Sequence, residues 1–76
     1  MEKDSPKKIM RRPAVEAVTG LSRSAIYDMV AKGKFPRPIP LGRRAVGWLA
    51  GEVDDWLKAR VAERDQLQAR REDRHA

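Results

Sequence analysis

Directly behind the stretch Thr19-Gly20-Leu21-Ser22 come Arg23, Ser24, Tyr27 and Asp28, a cation, hydroxyls and a carboxylate gathered on a few turns of chain. Such groups can read base edges and phosphates. A guanidinium bonds O6 and N7 of one guanine together, for about 1 to 3 kcal/mol of discrimination, and a carboxylate accepts from the cytosine N4 amine. Arg43 and Arg44 form a second concentration beside Gly42, where a surface turn needs no adjacent arginines in order to fold. Reaction chemistry finds no comparable grouping. The chain has no cysteine, a single histidine, His75, next to its last residue, and no glycine-rich phosphate loop, so no nucleophile and base are paired. An enzyme is not expected, and neither is a cofactor. Asp54 and Asp55 are accounted for by a helix start rather than by a metal.

Three helices and a hairpin must position these groups. Pro13 suits the first turn of a short helix, where its missing N–H is not needed; that helix ends near Val18. Ser22 is placed to cap a second helix, RSAIYDMVAK, by accepting from first-turn amides. Ala25, Ile26, Met29 and Val30 mark its buried face, with Gly33 as its stop. Arg23, Ser24, Tyr27, Asp28 and Lys32 then face outward. From Phe35 to Trp48 the segment FPRPIPLGRRAVGW loses helical spacing and reads as extended chain turning at Gly42-Arg43-Arg44. Pro38 and Pro40 close one strand edge and leave the N–H groups of Ile39 and Leu41 to pair on the other. A two-stranded hairpin is expected, laying Ile39, Leu41, Val46 and Trp48 over the helices. Gly51, Glu52, Asp54 and Asp55 mark a third helix start, and Val53, Trp56, Leu57 and Val61 are its apolar stripe. Both tryptophans fall in apolar stripes and are read as core, with Trp48 bridging hairpin and third helix.

At 76 residues and 8.7 kDa, 41% apolar and 37% charged, the chain holds one small folded domain and no large cleft. Without disulfides it must be held by packing, by a partner chain, or by both. Formal charge is +6 with a pI near 10.3, pointing to a polyanion. Residues 1–49 carry eleven Lys or Arg against four Asp or Glu, net +7; residues 50–76 carry six against seven, net −1. Because the third helix begins acidic, a membrane surface is poorly supported as the polyanion. No apolar run approaches the roughly 20 residues of a membrane span, and the charged start lacks the apolar stretch of a signal peptide. A cytoplasmic protein is expected.

Helix, glycine turn, helix, basic-tipped hairpin and helix together make a winged helix-turn-helix, mainly α with a small β-hairpin, three helices plus a two-stranded wing. The segments TGLSRSAIYDMVAKGKFPRPIPLG, AVGW and EVDDWL, spanning about residues 9–58, resemble the AlpA family of prophage regulatory proteins. These are small relatives of the DNA-binding domains of MerR-type regulators and of phage excisionases. The resemblance implies a protein that binds phage or mobile-element DNA, as a transcriptional regulator, often of an integrase gene, or as an excisionase that bends an attachment site. Two positions depart from the pattern. Gly51 stands where the family often has serine, a weaker cap. Glu16 lies four residues before Gly20, where many such units place a small or apolar residue, and implies a first helix tilted to keep Glu16 at the surface.

On this reading residues 1–8 are a flexible basic arm, 9–62 the DNA-binding domain and 63–76 a charged helical extension or tail. The second helix enters the major groove, with Ser22, Arg23, Ser24, Tyr27, Asp28 and Lys32 as its DNA-binding residues. Arg23 reads a base or clamps a phosphate; Ser22 contacts DNA or only caps its helix. Tyr27 meets a phosphate or thymine methyl, or lies partly under the wing. Asp28 accepts from cytosine, orients Arg23 or Lys32, or simply faces solvent. Arg37, Arg43 and Arg44 on the wing reach the backbone or a narrow minor groove; Arg11, Arg12 and Lys34 add weaker phosphate contacts. Self-association on DNA and contact with an integrase or RNA polymerase are compatible with this reading. The rival is a protein-interaction module docking on a recombinase or polymerase through the third helix. In that case Leu57, Val61 and Leu67 would matter, and Arg23 and Arg43 would not.

Overall fold

A computed structural model describes residues 8–75, with side chains through 70. The expected arm falls outside this range except for Lys8. The elements are β1 (Ile9–Met10), α1 (Arg12–Thr19), α2 (Arg23–Ala31), β2 (Ile39–Pro40), β3 (Val46–Leu49) and α3 (Ala50–His75).

Each helix boundary has a local cause. Pro13 sits in the first turn of α1, and Gly20 ends it in the left-handed region at φ 74°, donating its N–H to the Glu16 carbonyl. Glycine takes that conformation without the Cβ penalty other residues meet. Thr19 then ties the turn. Its hydroxyl donates to the Val15 carbonyl at 2.7 Å and accepts from the Leu21 amide at 3.2 Å. Ser22 caps α2 by accepting from the Ala25 amide at 3.1 Å. Lys32 closes α2, and Gly33 follows with φ 72°. The strand β3 runs straight into α3 at Ala50, whose N–H donates to the Lys8 carbonyl at 2.7 Å. Gly51 is therefore inside the first turn of α3 rather than at its cap. Glu16 is half-buried and joined to Arg12 at 2.9 Å, an ion pair that answers its departure from an apolar residue.

The sheet corrects the hairpin expectation in two respects. It has three strands in the order β1-β3-β2, because Ile9 pairs with Leu49 and Met10 with Trp48 on the edge of β3 away from the prolines. The second correction concerns sides. Ile39 pairs with Gly47 and Pro40 with Val46, while the Leu41 amide donates to the Ala45 carbonyl at 2.7 Å. Directly opposed residues share a face, so Ile39 and Leu41 lie on the outer face with Ile9, Gly47 and Leu49. Of the four side chains expected over the helices only Val46 and Trp48 turn that way, joined by Met10.

The core takes one residue from almost every part of the chain: Val15, Ile26, Phe35, Trp48 and Val53, with Met10, Leu21, Met29, Val30 and Val46 packed around them. Trp48, 0% exposed, is its centre. Its indole N–H donates to the Pro36 carbonyl at 2.9 Å, satisfying the one polar atom this side chain buries.

Gly47 is required by close approach rather than by φ. A Cβ there would lie 2.5 Å from Ile9 Cγ2, 3.0 Å from Leu41 Cδ1 and 3.2 Å from the Met10 carbonyl oxygen. Gly47→Val is expected to push β1 off the sheet, at about 1 to 3 kcal/mol. Denaturant unfolding monitored by circular dichroism checks this; an unchanged midpoint would mean that Ile9 swings away freely.

Candidate nucleic-acid interface

Arg23 and Ser24 occupy the first turn of α2 and Tyr27 and Asp28 the next, all exposed, and the Ser22 cap fixes how that turn presents them. Arg23 has no ion-pair partner among the described residues. Asp28 does have one, the Lys32 ammonium at 3.0 Å, so of the roles open to it the pairing with Lys32 is the one present. Ser22 serves as a cap, and its hydroxyl retains a hydrogen to donate.

Tyr27 stands at the border between surface and core. It is 36% exposed, and its ring is tilted against Trp48 with centroids 6.1 Å apart. The buried tryptophan thus orients the phenol and links the outward face of α2 to β3. Trp48 is closed to any ligand. Trp56 is half-buried, its indole N–H donating to the Lys34 carbonyl at 2.8 Å.

Arg43 and Arg44 are exposed in the loop joining β2 to β3, where the Leu41–Ala45 hydrogen bond closes the base. Arg37 is exposed ahead of β2, and Lys34 ahead of that. Arg11 reaches this region from a distant part of the chain. Its Nε donates to the Val46 carbonyl at 3.1 Å, which pins a guanidinium at the root of the wing and leaves its terminal amines free to donate elsewhere. In sequence Arg11 was one basic residue among several; only the pairing of β1 with β3 brings it here. Arg12 is held back by Glu16.

Charge pairing divides the surface. The described ion pairs are Arg12–Glu16, Lys32–Asp28, Lys58–Asp54, Arg60–Glu63 and Arg64–Asp65. Asp54 also raises the pKa of Lys58, through its hydrogen bond first and its charge second. Lys58, Arg60 and Arg64 on α3 are thus answered locally, whereas Arg70 has no carboxylate partner among the described residues. Arg23, Lys34, Arg37, Arg43 and Arg44 have no carboxylate partner among the described residues, an arrangement suited to bonding an external polyanion.

No group of three or more His, Cys, Asp or Glu able to hold a metal occurs among the described residues. No helix among them is long and apolar enough to cross a membrane.

Three helices with a glycine turn between the first two, and a small antiparallel sheet whose loop carries two arginines, define a winged helix-like module. The family of the prophage CP4-57 regulatory protein (AlpA) matches residues 8–61, and the chain belongs to that family. It is 38% identical over 66 residues to the DNA-binding transcriptional activator AlpA of Escherichia coli K12, covering 79% of this chain and 94% of that protein. It is also 44% identical over 57 residues to the uncharacterized protein ORF88 of Enterobacteria phage P4. That match covers 75% of this chain and 65% of the phage protein, slightly under two thirds of its length.

Proposed function

We propose that this chain binds double-stranded DNA of a prophage or mobile element and regulates transcription there, with α2 in the major groove and the β2–β3 loop on the backbone or minor groove. The observation that carries this reading is that Arg23 on α2 and Arg37, Arg43 and Arg44 on the wing are exposed and without an ion pair among the described residues, whereas Lys58, Arg60 and Arg64 on α3 are paired. The similarity to the DNA-binding transcriptional activator of Escherichia coli supports it independently. A domain this small buries a limited interface, so functional binding takes two or more copies on neighbouring sites.

The test is selection of bound fragments from the source genome in about 150 mM salt, where non-specific phosphate binding is weakened, followed by footprinting. Protection over a promoter is the expected result. Protected repeats flanking an attachment core would instead make the protein an excisionase. Binding indifferent to sequence would leave specificity to a partner protein.

Arg23→Ala is expected to cost about 1 to 3 kcal/mol on the selected site and to relax preference at one base pair. Competition binding against single-base variants of the site measures both effects. Equal loss on every sequence would demote Arg23 to a phosphate clamp.

A further inference from the structure

Glu52 and Asp55, both exposed, have no cation partner among the described residues, unlike Asp54, Glu63 and Asp65 on the same helix. With Glu63 they line an open groove of about 750 Å³ between α3 and the connection Gly33–Pro36. Its floor is aromatic. Phe35 meets Trp56 edge-on with centroids 4.9 Å apart, and the bond from the Trp56 indole to the Lys34 carbonyl fixes the ring in place.

The groove already holds one guanidinium. Arg60 lies over the Trp56 ring, 5.4 Å from its centroid, while its Nη1 pairs with Glu63 at 3.2 Å. An aromatic face attracts such a cation, and a carboxylate at the rim completes the site. Glu52 and Asp55 offer the same chemistry and hold no ion pair among the described residues. Three carboxylates against Lys34 and Arg60 leave the groove net acidic, so it suits a cation better than a phosphate.

We infer that this groove docks a short arginine-bearing segment of a partner protein, with guanidinium groups on Glu52 and Asp55 and aliphatic stems on Phe35, Pro36 and Trp56. A second copy of this chain fits less well, because of the arginines without an ion pair among the described residues all but Arg70 are those the DNA reading employs. None of Arg23, Arg37, Arg43 and Arg44 lines the groove, although Met29 of α2 and Lys34 do, and the test of this docking needs no DNA.

Trp48 is fully buried, so Trp56 is the tryptophan that reports on the groove. The probe is an end-blocked octapeptide with three arginines spaced by alanine and leucine, titrated into the free chain while its fluorescence is followed. The control replaces each arginine by neutral citrulline. Saturable binding with Kd below about 1 mM in about 150 mM salt is expected, with citrulline at least about tenfold weaker. Glu52→Gln, Asp55→Asn and Glu63→Gln together should weaken the arginine peptide about tenfold, with DNA binding retained as evidence of the fold. Arg60→Ala, which clears the indole, should tighten it. Equal binding of the citrulline peptide, an unaffected triple variant, or weaker binding by Arg60→Ala overturns the proposal. Sedimentation showing dimers that the triple variant loses would also overturn it and assign the groove to a second copy.

Discussion

Trp48→Ala is expected to leave the chain without a cooperative thermal transition near room temperature. The side chain is 0% exposed, packs beside Tyr27 and Phe35, and satisfies the Pro36 carbonyl. Removing a buried aromatic side chain costs about 3 to 5 kcal/mol. Native domains are held by only about 5 to 15 kcal/mol, and small ones sit at the low end. At roughly 4 to 8 °C per kcal/mol for a domain of this size, the midpoint falls by tens of degrees. Trp48→Phe keeps most of the ring and drops the N–H, which leaves the Pro36 carbonyl unbonded at about 1 to 3 kcal/mol. Far-UV circular dichroism on heating separates the two variants. A sharp melt of the alanine variant close to the parent's would show that Trp48 is not the centre of the core.

Arg43→Ala with Arg44→Ala should weaken binding to every DNA sequence while hardly touching stability, since both side chains are exposed and unpaired among the described residues. Formal charge falls from +6 to +4. If each arginine neutralises one phosphate, the slope of log K against log salt becomes shallower by about 0.9 per contact, about 1.8 for the pair. Titrations at several salt concentrations give the slope, and a melt of the same sample controls for folding. A slope equal to the parent's would take the wing off the DNA.

The contrast between α2 and the sheet shows which features the residues disclose by themselves. Ser22, the spacing of Ile26, Met29 and Val30, and Gly20 act within a few positions of one another, so α2 and its turn were legible from local chemistry. β1 was not. Two residues, Ile9 and Met10, carry no alternation, and their pairing with Leu49 and Trp48 exists only after the chain has folded back. The sides of the hairpin were open to inference through the loop. Three residues, Gly42, Arg43 and Arg44, lie between Leu41 and Ala45, so odd positions oppose odd positions and Ile39 falls opposite Gly47. Assigning Ile39 and Leu41 to the side of Val46 and Trp48 assumed an even number. Among the candidate interface residues, α2 and wing exposure followed from pattern, whereas the engagement of Arg11 with Val46 depends on that long-range pairing.

The helix α3 is continuous to His75, yet its side chains are exposed throughout residues 58–70, and its packed part ends near Leu57. A helix without tertiary packing is held by propensity and local charge pairs alone, which are marginal in water. Amide hydrogen exchange should therefore grade along one unbroken element. Protons near Val53 and Trp56 should exchange only by global unfolding, and those beyond Leu67 by fraying, orders of magnitude faster. Helical signal would then decline with temperature well before the domain melts, so a sloping baseline in this protein records the outer turns coming undone while Trp48 is still enclosed.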